Sequence, residues 1–316
     1  MHKHGRDTAP AAESQSVAME LNDHIIDTPP RDAASVVMLR DGGLGLEVLL
    51  MRRHADSAVL GGAYVFPGGK VDAADSAPEL LARLDRAPAE LRPQLDEAEL
   101  NDASAAAFFV AAAREAFEES GVLYARSAAG QPLDAQAQHA GFAALQQGQP
   151  FGQVLARHEL RLQTLDLAPW SRWITPRRPS IMNKRFDTRF FLAAVPDGQQ
   201  ARCDDFEVTE ARWLTPREAL RQYRDHAIDM APPQIISLLH LLQYPGVAQA
   251  MSAARSRPPA LIQPEPVETA ETRVLCYPGD PGHSLRERAL PEPVPTRMVW
   301  RNKRFEPPQG FAPFID

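Results

Sequence analysis

At 316 residues, with 44% hydrophobic content and a net charge of −7, the chain has ample apolar side chains for a large core and too much negative charge for a general polyanion binder. It contains no dense Lys/Arg run, no apolar run long enough to span a membrane, and two cysteines, Cys203 and Cys276, too far apart for a C-x-x-C. A soluble, cytoplasmic protein is expected, with no nucleic-acid partner, no membrane and no disulfide framework.

Residues 1–30 are polar and poor in aromatics, and are expected to form a disordered arm. His2 and His4 read as part of that tail rather than as metal ligands. Order is expected from Ala33. Ser35 to Leu39 and Leu46 to Met51 are β-prone runs joined by Asp41-Gly42-Gly43, the pattern of a hairpin opening a mixed sheet. Arg52, Arg53 and His54 follow the second strand; the two arginines are candidates for holding substrate phosphate, although strand-end arginines are ordinarily just solvated. Val65-Phe66 reads as a strand that breaks at Pro67 and turns through Gly68 and Gly69. Residues 76–102 are rich in Leu, Ala and Glu and punctuated by Pro78, Pro88 and Pro93. They predict one or two short helices outside the core, serving either as decoration or as a wall over a cleft.

A long helix is predicted next. Asn101 or Asp102 can cap it, residues 103–113 are nearly all strong helix formers, and Gly121 supplies a left-handed stop. Its last turns read Arg114-Glu115-Ala116-Phe117-Glu118-Glu119. Helical geometry places Glu115, Glu118 and Glu119 on one face, with Phe109, Ala113, Ala116 and Phe117 turned toward a sheet. Like charges at that spacing destabilise a helix by about 0.2–0.5 kcal/mol per pair, and a hard divalent cation would offset this. A solvated acidic face is the ordinary reading of such a trio. The glycine turn upstream points instead to a site.

Taken together, Gly69 and the Arg114 to Val122 stretch resemble the Nudix box, G-x5-E-x7-R-E-U-x-E-E-x-G-U, with U a bulky aliphatic residue. There are two departures. Asp75 stands where the first Glu is expected, and a long insertion separates it from Arg114. The insertion and the run from Phe66 to Asp75 are similar to Nudix hydrolases of the branch resembling the peroxisomal coenzyme A diphosphatase. The resemblance spans Arg31 to about Pro245. It implies an α/β (α+β) Nudix fold, a mixed curved sheet sandwiched between helices, and a Mg²⁺ (or Mn²⁺) cofactor. It further implies Glu118 and Glu119 as principal metal ligands, Glu115 as a ligand or base, and the Gly69 carbonyl in the same shell. Arg114 would orient Glu115 or Glu118, and Asp75 would position Arg114, a contact that depends on the shorter acid reaching across the insertion.

Further along, Val122 to Tyr124 predicts a short strand, residues 131–160 two short helices, and Pro169 to Pro176 and Arg185 to Val195 two more strands. Arg177, Arg178, Lys184 and Arg185 form the densest basic group, either a solvated loop or a recognition loop for substrate phosphates. Asp204, Asp205, Glu207 and Glu210 precede a strand at Ala211 to Leu214; by resemblance one carboxylate here completes the metal site, and Glu207 is the choice. Helices are predicted at Pro216 to Arg224 and Pro232 to Gln243, the second apolar enough to pack on the sheet or on a second copy as a homodimer. Residues 246–316 are proline-rich, with strands predicted at Thr272 to Tyr277 and Thr296 to Trp300, an extension packed on the core or a partner subunit. The ending Pro313-Phe314-Ile315-Asp316 is no Ser-Lys-Leu tail, so a peroxisomal address is not expected. The function implied is hydrolysis of a small-molecule diphosphate, coenzyme A or acyl-CoA first, with NADH, ADP-ribose and nucleotide sugars as alternatives. A ligand-sensing module without catalysis is the rival class, and retention of all three helix glutamates argues against it.

Overall fold

The computed structural model describes residues 21–57, 59–202 and 208–316. In chain order, the hairpin β1 (Arg31–Gly42) and β2 (Gly45–Arg53) leads through β3 (Tyr64–Val65) and β4 (Gly68–Lys70) to helices α1 (Pro78–Leu81), α2 (Pro88–Leu95) and the long α3 (Asp102–Ser120). Then come β5 (Ala125–Ser127), α4 (Ala135–Gln146), α5 (Phe151–Arg157), β6 (Leu160–Leu162), β7 (Ala168–Ile174) and β8 (Phe186–Ala194). Next are β9 (Val208–Leu214), α6 (Pro216–Arg224), α7 (Pro232–Leu241), α8 (Val247–Arg255) and β10 (Ala260–Ile262). The chain closes with β11 (Glu265–Glu268), β12 (Arg273–Cys276), β13 (Arg297–Arg301), β14 (Arg304–Glu306) and the turn α9 (Ala312–Ile315).

The main sheet runs β10-β7-β8-β1-β2-β3, with β4 also on β1 and β9 also on β2. It is mixed, because β1 is parallel to β8 and antiparallel to β2 and β4. Alternation along β1 and β2 builds two apolar layers. Val36, Met38, Leu49 and Met51 belong to a cluster with α3, while Val37, Leu39, Val48 and Leu50 join α6 and α7 on the other face. Strand β1 changes partner along its length: Ala33 to Ser35 pair with β4, and Leu39 to Gly42 with β2. Between these segments the Val36 amide donates to the Pro67 carbonyl at 2.8 Å, and the Ser35 hydroxyl to the same oxygen at 2.9 Å. This split splays β4 from β2 and opens the sheet where the glycine turn lies.

The predicted long helix is present. The Asn101 side chain caps α3 by accepting from the Ser104 amide at 2.8 Å, and Gly121 ends it with φ 69°. Phe109 faces the sheet as expected, 4.9 Å from the Phe191 ring of β8, but Phe117 packs its ring on Phe142 of α4 and Phe151 of α5 instead, because those helices cover the end of α3. Several expectations change. The insertion does form short helices, but Leu80, Leu84, Leu91 and Leu95 are buried in the α3-side cluster, so it is part of the core and not outside it. Residues 122–124 are buried yet form no strand; pairing begins only at β5, which meets β6.

Residues 21–30, expected in a disordered arm, are instead held by hydrogen bonds. The Asn22 and Ile26 amides donate to the Ser180 and Arg177 carbonyls, and Arg273 donates to the Asn22 carbonyl. The apolar face of α7 is buried inside the chain, through Ile235, Ile236, Leu238 and Leu239, so that face needs no second copy to cover it. In the C-terminal extension β10 lengthens the main sheet beside β7. The sheet β11-β12-β13-β14 sends Leu275, Tyr277, Met298 and Phe305 into the α7-side core.

Candidate active site

The last turns of α3 lie directly under the β4 glycines, and the approach is close enough to dictate residue type. A Cβ on Gly68 would fall 2.5 Å from the Ala34 carbonyl oxygen, and one on Gly69 would fall 2.4 Å from a Glu115 carboxylate oxygen. At Gly68 the obstacle is backbone and φ is 158°, so no side chain fits, whereas at Gly69 a side chain would have to push the Glu115 carboxylate aside. The contact lets the Gly68 amide donate to Glu119 Oε2 at 3.0 Å.

Arg114 organises the rest. Its guanidinium forms a two-pronged bond to Asp75, Nε to Oδ1 at 2.8 Å and Nη2 to Oδ2 at 2.9 Å, and so spans the insertion. Nη1 donates to Glu115 and to Glu118, each at 2.8 Å, and Nη2 to the Lys70 carbonyl at 2.9 Å. Asp75 reaches because the turn at Ala73–Ser76 folds it back, accepting from the Asp72 amide at 2.8 Å. The shorter acid at Asp75 is therefore matched to a tight turn, not stranded by the insertion.

One guanidinium thus serves Asp75, Glu115 and Glu118, with Glu119 beside them only 4% exposed. The negative charge is in excess. Burial and the neighbouring Glu118 push Glu115 up to about 7 despite Arg114, and burial raises Glu118 as well. Burial alone would weaken Arg114's hold on its proton, but its bonds to Asp75 and the glutamate charges raise it well above the ordinary arginine value.

These groups line a cleft of about 1350 Å³ that reaches both core layers. Arg31, Arg53, Lys70, Arg83 and Lys184 also line it, and none of their side chains makes an ion pair or hydrogen bond among the described residues. The Arg53 Nε is enclosed with no hydrogen-bond partner among the described residues. Of the arginines and lysines picked out in sequence as phosphate ligands, only Arg53 and Lys184 line the cleft. Arg177 pairs with Asp27, Arg178 lies 3.4 Å from Glu268, and Arg185 donates to the Thr175 and Thr28 carbonyls. Arg52 does not line the cleft, and the strand carrying it pairs with β9. Glu207 lies outside the described residues; Glu210 accepts from the Tyr64 hydroxyl, away from the glutamate trio. Arg31 and Arg83 carried no local signal, being isolated cations brought to the cleft by the fold. Lys70, immediately after the two glycines, could have been read from the sequence.

Among the described residues, no three carboxylate, histidine or cysteine groups already converge as a metal cage. The donor set nevertheless fits a hard divalent cation: three helix carboxylates with insufficient positive charge, beside a glycine backbone that lies against Glu115 and Glu119 with no side chain between.

A family model described as the NUDT19 Nudix domain matches residues 23–241. The chain is 29% identical over 228 residues to an acyl-coenzyme A diphosphatase NUDT19 of Xenopus laevis, covering 63% of this chain and 60% of that protein. It is 29% identical over 270 residues to the protein of the same name from Homo sapiens, covering 75% of this chain and 72% of the other. A solved NUDIX hydrolase of Alicyclobacillus acidocaldarius superposes with a TM-score of 0.58 at 29% identity, covering 72% of this chain and 97% of that one.

Proposed function

Because this chain belongs to the Nudix hydrolase family, through its NUDT19-type Nudix domain, we propose that it hydrolyses the diphosphate bond of coenzyme A or an acyl-CoA, giving adenosine 3′,5′-bisphosphate and 4′-phosphopantetheine, which keeps its S-acyl group when the substrate is an acyl-CoA. The observation that carries this is the charge imbalance at the cleft floor, where Arg114 alone answers Asp75, Glu115 and Glu118. A relative named for acyl-coenzyme A supports the choice of substrate within the family.

Glu115, Glu118 and Glu119 would hold Mg²⁺ or Mn²⁺, with the glycine backbone at Gly69 beside them. The cation, when bound, sets positive charge against the diphosphate and makes water more acidic. Arg114 fixes Glu115 and Glu118 from behind, and Asp75 fixes Arg114, so the carboxylates stay aimed at the cleft without help from substrate. Glu115, enclosed under Gly69, is placed to accept a proton from attacking water. Lys70, Arg83, Arg53, Arg31 and Lys184 supply positive charge along the walls, where the substrate phosphates would run.

The test is a Mg²⁺-dependent hydrolysis panel with product identification. Cleavage of coenzyme A to 4′-phosphopantetheine, or of an acyl-CoA to its S-acyl form, with adenosine 3′,5′-bisphosphate in either case, is expected. Efficient cleavage of NADH, ADP-ribose or a nucleotide sugar without cleavage of coenzyme A would overturn the substrate; no hydrolysis of any diphosphate would overturn the reaction.

A further inference from the structure

The α7-side part of the cleft contains two polar groups that the fold leaves unsatisfied. Gln234 occupies the third position of α7, where a Gln commonly turns back to bond the helix cap. Here the cap residue is Ala231, no side-chain capping bond forms, and Gln234, 7% exposed, borders the cleft with its Oε1 enclosed and unpartnered among the described residues. Ser180, 6% exposed, borders the same cleft with its Oγ also unpartnered. Buried polar groups in native proteins almost always have partners, so two orphans on one cavity point to a ligand that supplies them. The amide and hydroxyl do nothing for the sheet or the glutamate cluster.

The surroundings narrow the ligand. Phe66, Trp173 and Phe190 line this part of the cleft, whereas Leu80 and Phe151 of the α3-side layer line the other. Aromatic side chains favour a flat ring over a flexible chain. A glutamine amide carries a donor and an acceptor side by side, the pattern that matches an adenine edge. Lys184, in no ion pair among the described residues, lines the same cleft four residues beyond Ser180 and suits a phosphate on the attached sugar.

We propose that this part of the cleft is a purine subsite in which the Gln234 amide and the Ser180 hydroxyl read the base edge, beside Phe66, Trp173 and Phe190. The proposal rests on the diphosphate-hydrolase reading and assigns the two halves of its substrate: the nucleoside goes to the α7 side, the non-nucleoside half toward Leu80 and Phe151.

The test uses the full chain in Mg²⁺ buffer, with Kd values for AMP and 4′-phosphopantetheine and a ligand-free thermal melt for wild type, Gln234→Leu and Ser180→Ala. Gln234→Leu removes an unsatisfied buried group with little change of shape, so the melt should not fall, while AMP should bind about tenfold more weakly or worse. Ser180→Ala should weaken AMP in the same direction, and 4′-phosphopantetheine should be unaffected by either. If Gln234→Leu lowers the melt, Ser180→Ala decides the matter by its AMP affinity. Unchanged AMP binding in both variants, or selective loss of 4′-phosphopantetheine, overturns the proposal. Because only fragments are bound and nothing is cleaved, failure of coenzyme A hydrolysis would leave this result readable by itself.

Discussion

Two networks of arginines and acids lie within this domain, and they differ in one respect. In the first, Arg172 and Arg189 face Glu97 and Asp187: Arg189 Nε donates to Glu97 at 2.9 Å, and Arg172 makes a two-pronged bond to Asp187 at 2.9 and 2.7 Å. Two cations meet two buried acids, while the exposed Asp32 and Glu99 also pair with them from the solvent side at 2.7 and 3.3 Å, and the Arg189 guanidinium stacks 3.9 Å from the centre of the Phe108 ring. In the second, Arg114 faces Asp75, Glu115 and Glu118 with Glu119 alongside. The balanced network ties the insertion to the sheet, because Glu97 ends the insertion and Arg189 lies on β8. The unbalanced one borders the cleft. Hydrogen bonds satisfy geometry in both, but the surplus acids of the first, Asp32 and Glu99, are exposed to water, whereas the second encloses surplus charge that something else must neutralise.

Breaking the balanced network should give the largest effect, and it should be on stability. Arg189→Met leaves buried acids facing one arginine, and losing one partner of such a set costs about 3–5 kcal/mol. Urea unfolding should show that loss while the specific activity of the remaining folded protein stays near wild type; a normal unfolding midpoint with lost activity would reverse the roles of the two networks.

Within the unbalanced network the effect should move to turnover. Glu118→Gln or Glu119→Gln retains shape but removes a charged ligand, and rate at limiting Mg²⁺ should drop by about 10-fold to 100-fold. Steady-state kinetics across a Mg²⁺ series is the check. Near-wild-type turnover in both variants would remove these residues from the site.

A smaller, pH-dependent effect belongs to Glu115. Its folded value, about 7, lies above the ordinary carboxylate range, so the native state holds that proton more tightly than the unfolded chain does. The stability it contributes is present below about pH 4.5 and is lost as pH rises through about 7, a change of order 1–3 kcal/mol. In EDTA, Glu115→Gln should therefore gain stability over wild type between pH 5 and pH 8, as thermal melts would show. An identical pH profile in the two proteins would mean the buried charge is already neutralised.

Smallest should be the effect of the wall cations. Lys184→Ala should raise KM for coenzyme A several-fold, by about 1 kcal/mol, and should matter less for the dephosphorylated form; equal effects on the two would place Lys184 elsewhere along the substrate.

Much of this domain was legible because its signals are local. The α3 helix has a capping Asn101, a run of helix formers and Gly121, and the spacing of Glu115, Glu118 and Glu119 fixes their common face. The apolar run Val36 to Leu39 reads as a strand, although only the fold assigns its alternate residues to the two layers. What was not legible depends on distant pairings. The leucines of residues 76–102 resemble those of any amphipathic surface segment until α3 is packed against them. The basic loop suggested phosphate binding by density alone, but Asp27, Asp23 and Glu268 engage Arg177 and Arg178, and the last lies across the chain. Gln234 and Ser180 had no motif at all, since an unsatisfied buried group exists only once the fold encloses it.

The most direct measurement is a calorimetric Mn²⁺ titration of the full chain, of Glu119→Gln and of Glu97→Gln. If excess carboxylate charge is what makes the site, wild type and folded Glu97→Gln should bind Mn²⁺ alike, and Glu119→Gln should bind about tenfold more weakly or worse. Equal Mn²⁺ affinity in wild type and Glu119→Gln would contradict the account.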